Sequence, residues 1–178
     1  NILNETLRRV FYEKRWQREA CMPHRIFFSQ GNYPLKGLHY LLWAMPDILK
    51  KYPDTEIYVA GDNVTRYASV KEKLKIGSYG KYLRDEIVKY GLEEKVHFLG
   101  RLQAEDMCDA YLKSELFVSA SALENSPNSV GEAMLLGMPV VSSAVGGVES
   151  LLTHEKEGLL FKKGDTAALA EEICRLFG

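Results

Sequence analysis

The stretch "ELFVSASALENSPNSVGEAMLLGMPVVSSA" (115–144) contains a strand, a loop, a helix and a second strand in 30 consecutive positions. The run 115–121 is too short and too rich in apolar residues for a surface helix, and reads as a strand buried on both faces. Pro127 favours a helix start, and Ser126, Asn128 and Ser129 are all good N-cap types. The helix then runs from Ser129 to Gly137, its expected C-cap, and Pro139 opens the next strand, 138–144. A strand followed by a helix and another strand at this spacing builds a right-handed βαβ unit in a parallel sheet.

The same alternation extends in both directions. The segments 25–30, 56–61, 95–100 and 158–161 read as further buried strands. Helical spacing of Leu38, Leu41, Leu42, Met45, Ile48 and Leu49 marks one intervening helix. Others are expected over "YLRDEIVKYG" (82–91), "AEDMCDAYLK" (104–113) and "DTAALAEEICRLF" (165–177). The fold class is therefore α/β: a doubly wound, Rossmann-like parallel sheet of about six strands with helices on both faces. Residues 2–20 read as one amphipathic helix ahead of the first strand, with Asn4 as its N-cap. The connection 62–80 is long and weakly patterned, the kind of segment that is often functional.

Composition removes several functional classes. The 178 residues carry 23 basic and 24 acidic side chains, so the cationic excess of a nucleic-acid binder is missing. Cys21, Cys108 and Cys174 have neither zinc-site nor disulfide-framework spacing, and reduced, buried thiols in a cytoplasmic protein are the expectation. No apolar run reaches the ~20 residues of a membrane span. His24, His39, His97 and His154 lack metal-ligand spacing. GxSxG, HExxH and P-loop patterns do not occur, and no G-x-G-x-x-G follows the first strand. This argues against a triad hydrolase, a zinc enzyme and a dinucleotide oxidoreductase.

An open parallel sheet binds ligands at the carboxyl ends of its strands. In the loop "SQGNYPLKG" (29–37), Gly31 permits a tight turn and Lys36 stands just before a helix. A cation there opposes the helix dipole unless an anion is bound. A solvated surface lysine is the other reading, and local pattern does not separate the two. The helix after Pro127 offers free backbone N–H groups to an anion. Glu124 and Glu132 flank that turn. Ser129-x-x-Glu132 matches a capping box, so Glu132 is either a cap or a ligand contact, and Glu124 either a solvated loop residue or a contact. Gly146 and Gly147 are expected to let a third loop come close to a ligand.

Taken together, the motifs resemble the C-terminal, donor-binding domain of the group 1 (family 4) retaining glycosyltransferases, which have the GT-B fold. The residues that carry the resemblance are "PLKG" (34–37), "IYVAGD" (57–62), "VHFLGRL" (96–102), the long run 116–152, "EGLLF" (157–161) and "GDTAALAEEI" (164–173). It covers residues 23–178, with residues 1–22 implied to connect to a missing N-terminal domain.

The resemblance implies that Glu124 is catalytic, facing the donor sugar at the anomeric carbon, and that Glu132 accepts hydrogen bonds from the ribose hydroxyls. Lys36 and the backbone around Asn128, Ser129 and Val130 would hold the diphosphate, and Arg101 and Leu102 would meet the base. No metal and no cofactor are implied, the nucleotide-diphosphate sugar being the donor substrate. An acceptor saccharide or lipid-linked sugar would sit on the missing domain. Membrane contact, at the inner face in a cytoplasmic protein of polysaccharide biosynthesis, would also come only through that domain. The isolated piece is expected to be inactive. One position departs from the pattern: Gly31 stands where the family usually has an arginine, with Arg66 and Arg101 as substitutes to consider. That departure keeps open a second reading, a nucleotide-binding or scaffold module that has lost transfer activity.

Overall fold

A computed structural model describes residues 9–66, 78–125 and 127–178. Six parallel strands form one sheet in the order β3-β2-β1-β4-β5-β6. They are β1 (Met22–Phe28), β2 (Glu56–Ala60), β3 (Val96–Gly100), β4 (Ser114–Ser119), β5 (Val140–Ser143) and β6 (Leu159–Phe161). Each overlaps a run expected to be a strand, β1 beginning three residues earlier than expected. The order reverses direction between β1 and β4, which pair through Ile26–Leu116 and Phe27–Phe117. That reversal is the switch point at which such sheets open a crevice.

The helices are α1 (Val10–Glu13), α2 (Leu38–Lys51), α3 (Ser78–Lys89), α4 (Ala104–Leu112), α5 (Asn128–Leu136) and α6 (Thr166–Phe177). On one face α2 packs against α3 and α6. Leu38, Leu41, Leu42, Met45 and Ile48 of α2 join Ile26, Leu116, Val118, Ile173 and Phe177 in one apolar cluster. On the other face α1, α4 and α5 bury Phe11, Tyr111, Phe117, Val130, Ala133 and Leu136. Two dry layers of this kind are what near-continuous apolar strands require. Asp165 caps α6 by accepting from the Ala168 N–H at 3.0 Å. Gly137 ends α5 in a left-handed conformation, φ 75°.

Three expectations need correction. The helix read over 2–20 is not continuous: α1 ends at Glu13, and Lys14 is extended, with φ −108° and ψ 158°. Outside partners capture the backbone there. Trp16 N–H donates to the Leu136 carbonyl at 2.8 Å, and its indole N–H donates to that of Ser114. A short 3₁₀ turn, Arg18–Ala20, follows. The expected cap Asn4 and most of the 62–80 connection lie outside the described residues.

Secondly, not every strand is buried on both faces. In β2 and β3 the residues Tyr58, His97 and Leu99 are only half-buried, because β3 is an edge strand. Lastly, of the three thiols, all free, Cys108 and Cys174 are buried but Cys21 is not.

Candidate functional site

The carboxyl ends of β1, β2 and β3, with the start of α5, enclose a cleft of about 670 Å³. Its wall includes Ser29, Gln30, Asn32 and Lys36 after β1, Gly61 and Asp62 after β2, and Arg101, Leu102 and Gln103 after β3. Asn128, Ser129 and Glu132 of α5 complete it, with Met107 of α4. Of the residues singled out in the sequence, Lys36, Arg101, Leu102, Asn128, Ser129 and Glu132 share this wall. Glu124 joins them through Lys36: Lys36 Nζ donates to Glu124 Oε2 at 2.7 Å. Gly31 and the Val130 side chain are buried and are not part of this wall.

Local packing fixes the Lys36–Glu124 pair. Lys36 ends a 3₁₀ turn, Pro34–Lys36, and Gly37 follows in a left-handed conformation, φ 77°. A Cβ on Gly37 would lie 2.0 Å from the Ala120 carbonyl oxygen, so only glycine lets this loop meet the end of β4. The Ala122 N–H donates to the Leu35 carbonyl at 2.8 Å, which ties the two loops together. Ser121 Oγ adds a donor to Glu124 Oε2 at 3.3 Å, and Ser143 Oγ holds the Ser121 carbonyl at 2.7 Å.

The paired glycines bear on the same loop. The Gly147 N–H donates to the Glu124 carbonyl at 2.8 Å. A Cβ on Gly146, at φ 48°, would stand 2.3 Å from that same oxygen. They let the β5 loop close on the backbone that carries Glu124.

Glu132 is 2% exposed, on the second turn of α5. The capping box does not form in the expected register. Pro127 is the N-cap, with no side-chain cap hydrogen bond, and Ser129 already lies inside the helix. Glu132 is held instead from α4: the Tyr111 hydroxyl is 3.1 Å from Glu132 Oε2 and 3.0 Å from the Ser129 carbonyl, with one proton to share between them. Phe27, Phe117 and Phe11 surround the Tyr111 ring, at centroid distances of 4.6, 5.2 and 5.8 Å. Sequence reading passed over Tyr111 because an aromatic at helical spacing looks like ordinary core.

Across the cleft, Arg101 grips Asp62 in a fork. Nε donates to Oδ1 at 2.8 Å and a terminal nitrogen to Oδ2 at 2.7 Å. These hydrogen bonds hold the Asp62 carboxyl below its ordinary range and raise Arg101. Asp62 sits in the quoted motif "IYVAGD", the one sequence signal that pointed near it. Gly31 has no room for a side chain, since a Cβ would lie 2.2 Å from Val59 Cγ1 inside the core. Of the two arginines considered as substitutes, Arg66 is exposed and does not line the cleft, and Arg101 is committed to Asp62.

The arrangement combines two cations, Lys36 and Arg101, three carboxylates, Asp62, Glu124 and Glu132, and the N-terminus of a helix whose N-cap makes no side-chain bond, on the edge of a Rossmann-like sheet. That arrangement is able to hold an anion beside hydrogen-bond acceptors. The chain belongs to the family described as "Glycosyl transferases group 1", whose model matches residues 23–178.

Among curated proteins it is 32% identical over 124 residues to an uncharacterized glycosyltransferase of Methanocaldococcus jannaschii, covering 70% of this chain and 28% of that protein. It is 28% identical over 148 residues to the D-inositol 3-phosphate glycosyltransferase of Corynebacterium urealyticum, covering 80% and 32%. The chain thus spans about a third of the length of these relatives. Among solved structures it resembles Anabaena HepE in complex with UDP and glucose, with a TM-score of 0.70 and 28% identity over 86% of this chain and 38% of HepE. Sucrose-phosphate synthase of Thermosynechococcus elongatus gives a TM-score of 0.73 at 25% identity, over 93% of this chain and 41% of that one. Among the described residues, no helix is long and apolar enough to cross a membrane.

Proposed function

We propose that this domain binds the nucleotide-sugar donor of a retaining glycosyltransferase that uses neither metal nor cofactor. The acceptor, a saccharide or lipid-linked sugar, is held by a second domain outside this chain, which also makes any membrane contact. The observation that carries the reading is the convergence of Lys36, Glu132 and the start of α5 on one cleft, with Glu124 bonded to Lys36. Glu132, fixed by Tyr111, accepts from the ribose hydroxyls. Lys36 and the N–H groups at the start of α5 (Asn128, Ser129 and Val130) meet the diphosphate, and Arg101 and Leu102 border the base.

When the bond between the anomeric carbon and the diphosphate oxygen breaks, its electron pair stays on the leaving oxygen. Lys36 and the helix dipole stabilise that growing charge. Glu124 stands beside the carbon that becomes electron-poor and stabilises it electrostatically. The acceptor oxygen then bonds to this carbon on the face the diphosphate leaves and passes its proton to the departing diphosphate oxygen, and the anomeric configuration is retained.

Calorimetric titration with UDP- and GDP-sugars tests the binding half. One donor is expected to bind, and Glu132→Ala is expected to weaken it at least tenfold, by about the worth of a hydrogen-bonded carboxylate. Undiminished binding by that variant overturns the assigned role. The domain alone is expected to transfer nothing. Gly31 favours the second reading, a binding module without transfer. Steady sugar transfer by the longer protein that carries this domain, with retention seen by NMR of the product, rules it out.

A further inference from the structure

We infer that Asn32 is a further donor-binding residue, its side-chain amide donating a hydrogen bond to the diphosphate of the nucleotide sugar. The inference rests on the donor reading above. Asn32 lines the cleft on the same loop as Lys36. Its Oδ1 is buried and accepts no hydrogen bond from the described residues. The amide nitrogen makes none either, and is not among the buried unpaired atoms. One end of the amide therefore faces inward and the other, with two N–H donors, is open to the cleft.

The inward end is fixed by close approach: a Cβ on Gly61 would lie 3.0 Å from Asn32 Oδ1. Glycine at 61 thus gives the amide its seat. A buried polar end without a partner costs stability, and a side chain held at that cost points to a use for its other end.

The charges around it give the use. Both cations of the cleft wall are engaged with carboxylates, Lys36 with Glu124 and Arg101 with Asp62. Gly31, the neighbouring position, is packed against Val59 and presents no side chain. An anion entering between the β1 loop and the start of α5 therefore meets Asn32 as an uncommitted donor from that loop. A neutral amide N–H to a phosphate oxygen is a charge-assisted bond, stronger than a neutral pair.

The test is titration of the 178-residue chain with UDP, GDP and ADP, each beside its nucleoside. For the diphosphate that binds wild type, Asn32→Ala is expected to bind about tenfold more weakly. Asn32→Asp, which keeps the shape and adds a negative charge, is expected to bind more weakly still. Nucleoside binding is expected to be the same in all three proteins. Diphosphate affinity within about twofold of wild type in either folded variant overturns the inference. An equal loss for nucleoside and diphosphate also overturns it, because Asn32 then only shapes the loop. If Asn32→Ala does not fold, the isosteric Asn32→Asp decides alone. Failure of wild type to bind any of the three diphosphates overturns the donor reading itself, and this inference with it.

Discussion

Two ion pairs face each other across the cleft, and they are not equivalent. In Lys36–Glu124 the side chains are 29% and 11% exposed; in Arg101–Asp62 they are 82% and 46% exposed. The second has the better geometry, a two-pronged fork, yet water and salt screen it. The first has one direct contact, but its Glu124 carboxylate is nearly buried and also takes a hydrogen bond from Ser121. Burial, more than hydrogen-bond count, decides what each pair is worth to the fold.

The largest effect is expected on the buried side. Lys36→Ala leaves the Glu124 carboxylate largely out of water without its cation. We expect a stability loss of about 2 kcal/mol, measured by urea unfolding. Nucleoside diphosphate affinity should fall together with it. Adding Glu124→Gln removes the stranded charge, so the double variant should regain stability and not affinity. If it regains both, Lys36 acts only on the fold. If the single variant loses no stability, the contrast between the two pairs is wrong.

Tyr111→Phe sharpens the comparison from a third point, because it removes one donor to Glu132 and keeps the packed ring. We expect a loss of about 1 kcal/mol. Calorimetry should also show a smaller preference for a ribonucleoside diphosphate over its 2′,3′-dideoxy form. An unchanged preference would mean that Tyr111 supports α5 but does not orient the carboxylate that reads the ribose.

These contrasts separate what the sequence made legible from what it hid. The six strands were readable because a strand buried on both faces has to be apolar almost throughout, and the helix after Pro127 because proline and glycine bracket it. The half-exposed edge β3 and the break at Lys14 were not. Each depends on what packs alongside, such as Leu136 drawing Trp16 out of a helical pattern. Within the site, Lys36, Glu124 and Glu132 stood out as charges in loops or at helix starts. Tyr111, Asp62 and Asn32 did not, since their roles come from neighbours 21 to 39 positions away or from room left by a glycine. Gly146 and Gly147 were noticed, but their approach to the Glu124 backbone is something spacing does not reveal. The capping-box pattern misled by a register: it demands Ser129 as the cap, and the helix had already begun.

The smallest effect is expected at the exposed pair. Arg101→Ala should move the melting temperature little at neutral pH, and less at high salt, since screening already weakens the interaction. The sign of its pH dependence is fixed. Hydrogen bonding to Arg101 depresses the Asp62 carboxyl in the folded state. The pair therefore contributes above the ordinary aspartate range, and that contribution is lost as pH falls through the depressed value. Wild type and variant should consequently melt alike in strong acid and separate slightly above it. A gap between the two melting curves that persists unchanged into strong acid would show that Arg101 acts through packing of its aliphatic stem. A large gap at neutral pH would put this exposed pair on a par with Lys36–Glu124, and burial would no longer explain the difference between them.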